Sequence, residues 1–114
     1  MNPLLLVGFG GMAGALGRHL VGARLERNRA DTLVVNVCGS VLLGALVVVP
    51  ITDSVALALG TGFCGAFTTF SSFAFETVRL AELGHEREAV LYAGGTLAVA
   101  LAGVAVGGFV GAAL

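Results

Sequence analysis

The residues able to do chemistry gather in one stretch, Gly60 to Phe73, which reads Gly-Thr-Gly-Phe-Cys-Gly-Ala-Phe-Thr-Thr-Phe-Ser-Ser-Phe. Hydroxyls at Thr68, Thr69, Ser71 and Ser72 alternate there with the rings of Phe67, Phe70 and Phe73. Neutral hydroxyl and amide donors can replace the water around a small anion. An aromatic ring has a positive edge, so a phenylalanine presented edge-on can contact an anion as well. Phe70 and Phe73, three apart, share one helix face; the same spacing also suits plain packing against lipid or core. Carbonyls released by a helix break near Gly65 could instead hold a cation.

The stretch lies inside a run without charge, from Ser54 to Phe75. At 1.5 Å per residue those roughly 22 residues span about 33 Å as a helix, enough to cross a bilayer. The middle of the run is a poor continuous helix. Gly60, Gly62 and Gly65 weaken it, and the hydroxyls compete for backbone partners. Lipid cannot satisfy freed backbone groups, so broken backbone is tolerated only where protein buries it or where it lines a polar path. The pattern predicts a membrane helix broken at mid-depth.

The rest of the chain fits a membrane frame. Of 114 residues, 57% are hydrophobic and 11% charged, and the mean hydropathy is +0.99. A soluble domain carries charge at about a quarter of its positions. The composition predicts one all-α integral membrane domain over residues 1–114, with four transmembrane helices at about 3–23, 32–49, 54–80 and 89–113. The apolar start runs too far for a signal peptide, so the first segment is expected to stay as a helix. A chain this short cannot enclose a wide pore alone, which predicts an oligomer. No basic patch with interleaved aromatics points to nucleic acid. Cys38 and Cys64 lack paired spacing and read as small core residues. No nucleophile–base pair, working carboxylate pair, phosphate loop or metal-ligand cluster is visible, so an enzyme is not expected.

Polar groups inside the other segments each have two readings. Arg18, near the end of the first segment, either snorkels to the interface or faces a water-filled vestibule that draws in anions. Asn36, four positions before Ser40, either bonds a neighbouring helix or lines a polar path. Tyr92 suits an interfacial anchor, and Thr96 is the one hydroxyl deep in the fourth segment. His19 and His85 read as solvated. Small residues at helical spacing, Gly10 with Gly14 and the ladder Gly103, Gly107, Gly111, predict close helix packing. All six arginines belong to or border the first and third loops, and there is no lysine. The positive-inside rule then turns both termini outward.

Taken together, these residues resemble the small microbial fluoride ion channel family, the camphor-resistance fluoride exporters. Gly11-Met-Ala-Gly14-Ala-Leu-Gly-Arg18 is similar to that family's opening, and Thr32-Leu-Val-Val-Asn36-Val-Cys-Gly39-Ser40 to its second segment. Gly62-Phe-Cys-Gly65-Ala-Phe-Thr68-Thr69-Phe70-Ser71-Ser72-Phe73 looks like its most specific motif. The resemblance implies an antiparallel dimer in the cell membrane, with two separate fluoride pores. It implies a structural sodium ion between the subunits, held by the backbone carbonyls of Gly65 and Thr68. Phe70 and Phe73 become the pore phenylalanines, and Asn36 a hydrogen-bond donor in the pore. Ser71 and Thr96 join the polar track, Tyr92 the pore mouth and Arg18 the vestibule.

Departures from the family pattern are local. Ala66 stands where many members have glycine, and Ser72 where many have threonine. Past Thr96 the fourth segment has no further hydroxyl, which thins the polar track. The one-sided arginine distribution bears on assembly, because a homodimer with dual topology needs nearly balanced loops. Either the acidic loop residues offset the bias and a homodimer forms, or the partner is an oppositely oriented paralogue. The competing reading is a small multidrug-resistance-like, proton-coupled exporter. Such exporters carry a glutamate within the first segment, which this chain lacks; Glu76 is its nearest candidate.

Overall fold

Each helix boundary has a local cause. The computed structural model describes residues 2–25 and 30–114; Glu26, Arg27 and Arg29 of the first charged loop lie outside the described residues. Helix α1 (Pro3–Arg24) opens with Asn2, whose Oδ1 accepts the Leu4 N–H at 2.8 Å, and with Pro3, which has no N–H to leave free. Helix α2 (Ala30–Val48) stops just before Pro50, whose ring disfavours helical backbone in the residue ahead of it. The Thr52 hydroxyl then accepts the Val55 N–H at 3.3 Å and starts α3 (Asp53–Ala56).

The helix widens next into a π-helical run, π1 (Leu57–Cys64), and closes with α4 (Gly65–Phe67). Residues 68–70 are not helical, and α5 (Ser71–Glu82) follows. Gly84, at φ 87°, ends α5 in a left-handed turn that would strain any residue with a Cβ. Its N–H donates to the Ala81 carbonyl at 3.1 Å, and the His85 N–H to Leu80 at 2.9 Å, closing a Schellman cap. Helix α6 (Glu86–Ala113) then carries Glu86 and Glu88 in its first turn, where the helix dipole favours acids.

Four stretches are long and apolar enough to cross a membrane: Pro3–Arg24, Ala30–Val48, Asp53–Glu82 and Glu86–Ala113. Among the described residues there is no β-strand. Large apolar side chains cover the outside, with Leu4 80% and Phe109 83% exposed, while fully enclosed apolar residues such as Val35 are few. That distribution suits lipid, which is as apolar as leucine and gives no reason to hide it. The chain is a multi-pass membrane protein.

Without a hydrophobic drive between helices, contact area has to come from close backbone approach. Two seams provide it. Helix α1 lies on π1, with Gly10 against the backbone of Ala58, Gly14 against that of Phe63, and Gly62 facing the Val7 carbonyl. Helix α6 lies on α2: a Cβ at Gly107 would land on the Val41 carbonyl, one at Gly44 on the Val104 carbonyl, and one at Gly111 within 2.9 Å of the Ala45 carbonyl. The ladder of the fourth span thus packs within the chain. Gly107→Val should force α2 and α6 apart and cost about 2 kcal/mol or more, read as a lower thermal unfolding midpoint in detergent. Gly94→Ala, where an added Cβ meets nothing within 4 Å, should stay close to the native midpoint.

Candidate functional site

The glycines of the third span stay helical. Gly65 donates its N–H to the Gly60 carbonyl, five residues back, so the chain accommodates Gly60 and Gly62 by π winding. The departure from helix falls at Thr68, with φ −81° and ψ 166°. Thr68 still turns back to Cys64, whose carbonyl accepts its N–H at 3.0 Å and its hydroxyl at 2.9 Å. Thr69 does not. Its N–H donates to Asn36 Oδ1 at 2.8 Å, and its carbonyl accepts from Asn36 Nδ2 at 3.0 Å. Thr69 Oγ1 in turn accepts the Ser72 N–H at 3.1 Å and lies 3.3 Å from Ser71 Oγ. The residue is 7% exposed, so these bonds stand in place of water.

In an unbroken helix the Thr69 N–H would go to the Gly65 carbonyl and the Ser72 N–H to the Thr68 carbonyl. Both donors point elsewhere here. The carbonyls of Gly65 and Thr68 therefore lack their helical partners, and they are hard oxygen ligands of the kind that suits an alkali cation. These are the two carbonyls the sequence resemblance names.

Asn36, Gly65, Thr68, Phe70, Phe73 and Thr96 all line one open cavity of about 740 Å³ between α2, the third span and α6, and no charged side chain lines it. The structure thus brings together six of the residues singled out in the sequence. Thr96 is 7% exposed within its helix, whereas Phe70 is 78% exposed at the cavity's outer edge. The Phe70 and Phe73 rings sit 6.0 Å apart and tilted, and Phe73 meets the Tyr92 ring at 5.4 Å. Ser71 and Tyr92 are not in this lining; Ser71 reaches Thr69, and Tyr92 reaches the cavity through Phe73. Arg18 is elsewhere. It lines a second cavity of about 600 Å³ with His19, Asp31, Thr32 and Ser72. Thr69 belongs to both linings.

One cluster escaped the sequence reading. Glu76 Oε1 accepts the Thr32 hydroxyl at 2.7 Å and the Tyr92 hydroxyl at 3.3 Å, tying α2, α5 and α6 at a single atom. Thr32 and Glu76 are 44 positions apart, and no local spacing announces the pair. The alternation of Phe73 and Glu76 on one face of α5 was the available hint, since both meet Tyr92. Thr32 is 4% exposed, so Glu76→Ala would strand its hydroxyl. That change should cost about 1–3 kcal/mol, read as a lower thermal midpoint, and Glu76→Gln, which keeps an acceptor oxygen, should recover most of it.

Comparison with known proteins adds a name to the pattern. Residues 5–112 match the family described as CrcB-like protein, Camphor Resistance (CrcB). A protein of Natronomonas pharaonis called fluoride-specific ion channel FluC 2 is 53% identical over 110 residues, covering 96% of this chain and 95% of its own. One of the same name in Haloarcula marismortui is 50% identical, covering 87% of this chain and 85% of its own. The fluoride-specific ion channel FluC of Acidobacterium capsulatum is 39% identical, covering 94% of each. Matches of this extent leave one assignment: the chain belongs to the CrcB-like, camphor-resistance family.

Proposed function

We propose that this chain is the subunit of a fluoride-selective channel that lets fluoride leave the cytoplasm passively and so relieves its toxicity. The observation that carries the reading is the uncharged cavity lined by an amide, hydroxyls and aromatic rings: Asn36, Thr68, Thr96, Phe70 and Phe73. Fluoride holds its water tightly, so a path has to offer hydrogen-bond donors at each step while holding none of them so firmly that the ion stays. Neutral donors meet that need better than a fixed cation at depth. Asn36 uses one amide hydrogen on the Thr69 carbonyl, which leaves the other for an anion. In this reading Phe70 and Phe73 would offer their ring edges to the ion, and Ser71 would extend the hydroxyl track. Arg18 draws anions into the second cavity, and Thr69 lines both that vestibule and the pore. The fluoride-channel names of the relatives support the same reading.

The working unit in this reading is an antiparallel dimer with two pores, the interruption at residues 68–70 lying at mid-membrane. A structural sodium ion would be held between the copies by the Gly65 and Thr68 carbonyls, which would supply neutral oxygen ligands in place of its water. The copies are either identical chains in dual topology or this chain with an oppositely oriented paralogue. The membrane-embedded glutamate that an exporter mechanism needs has no counterpart in α1, and Glu76 is engaged by Thr32 and Tyr92.

The purified chain alone in liposomes should release fluoride rapidly, read by a fluoride electrode, and release chloride far more slowly. Equal release of both halides would overturn the pore assignment. Phe70→Ile or Phe73→Ile should slow fluoride by roughly three- to tenfold with the assembly intact, the scale of one ring-edge contact. Native flux in both variants would remove the rings from the path.

A further inference from the structure

We infer that Asn36 and Thr69 together build the cation site without touching the cation: they are positioning residues that keep the Gly65 and Thr68 carbonyls free of their helical donors. The inference rests on the cation reading above and deepens it.

The geometry leaves each atom one task. Asn36 Oδ1 takes the Thr69 N–H at 2.8 Å, which would otherwise return to Gly65 and lengthen α4. Asn36 Nδ2 holds the Thr69 carbonyl at 3.0 Å, so the peptide groups on both sides of the Thr69 α-carbon are gripped and the residue cannot rotate back into helix. Thr69 Oγ1 takes the Ser72 N–H at 3.1 Å, which would otherwise cap Thr68. Asn36 is itself fixed on α2, where its own carbonyl accepts the Ser40 hydroxyl at 2.7 Å. Helix α2 also approaches the turn closely through Gly39, where an added Cβ would strike the Thr68 methyl. The alternative state is not costly to imagine: with the acceptors gone, Thr69 and Ser72 would donate to Gly65 and Thr68, because a backbone donor in lipid has nowhere else to go. Helix closure and cation binding then compete for the same two oxygens.

The test reads sodium, not flux. Solubilised assembly is unfolded by heat in rising sodium chloride, with a large organic cation holding ionic strength constant, and the sodium concentration that gives half the stabilisation is taken. Asn36→Leu keeps the branching and removes both polar amide atoms; Thr69→Val keeps the branched shape and removes Oγ1. Each should raise the half-stabilising concentration about tenfold, since a hydrogen bond to each carbonyl displaces an ionic contact of that order. A native-like sodium response in Asn36→Leu and Thr69→Val would overturn the inference. If Asn36→Leu does not assemble, Thr69→Val carries the comparison alone. A native chain with no sodium response would overturn the inference along with the cation reading, while fluoride efflux from the same preparation separately decides whether the channel reading stands.

Discussion

The paired hydrogen bonds between the Asn36 side chain and the Thr69 backbone are the interaction on which the rest of the site depends. Lipid sets the terms. A soluble protein can leave a helix and let water take up the freed groups, but a membrane span has to supply a partner for each one. A primary amide is well suited to this, with a donor and an acceptor side by side at the spacing of a peptide group. Asn36 behaves as a short piece of neighbouring strand, completing Thr69 while residues 68–70 change direction. Phe70 and Phe73 then stand at the start of a new helix and line the cavity that Asn36 also lines.

This arrangement needs a rigid surrounding, and the glycine seams supply it. Helix α1 carries π1 backbone against backbone, and α6 carries α2 in the same way. The interruption is thus held from both flanks. The Glu76 cluster closes the far end, where one carboxylate oxygen gathers donors from α2 and α6. Van der Waals contact at close range does here what water-driven burial does in a soluble core.

Much of the frame could be read from the sequence. Four apolar segments separated by short charged loops imply four spans, because hydropathy is a local property and the bilayer sets a length. The hydroxyl and ring motif was visible as a place where a helix would be hard to continue. Its winding was not. Gly60, Gly62 and Gly65 read as breakers, yet the chain stays helical by widening into π turns, and of the three only Gly62 is needed for the close approach of α1. The role of Thr69 was equally hidden, since it depends on a side chain 33 positions away. Asn36 was recognisable as a costly residue with two open readings, and its geometry serves both: it bonds a neighbouring segment and lines the cavity. Glu76 looked like a residue near a helix end because its partners lie on other spans.

Thr69 is enclosed and lines both cavities, so a single residue bears on each of them. A residue shared in that way has no spare part. Its shape, its backbone direction and the start of the following helix are all properties of one residue, so none can be tuned while the others are kept. Larger channels divide such duties among loops, filters and gates. In a chain of 114 residues the economy is extreme, and it shifts the room for adaptation outward, to the rims of the two cavities.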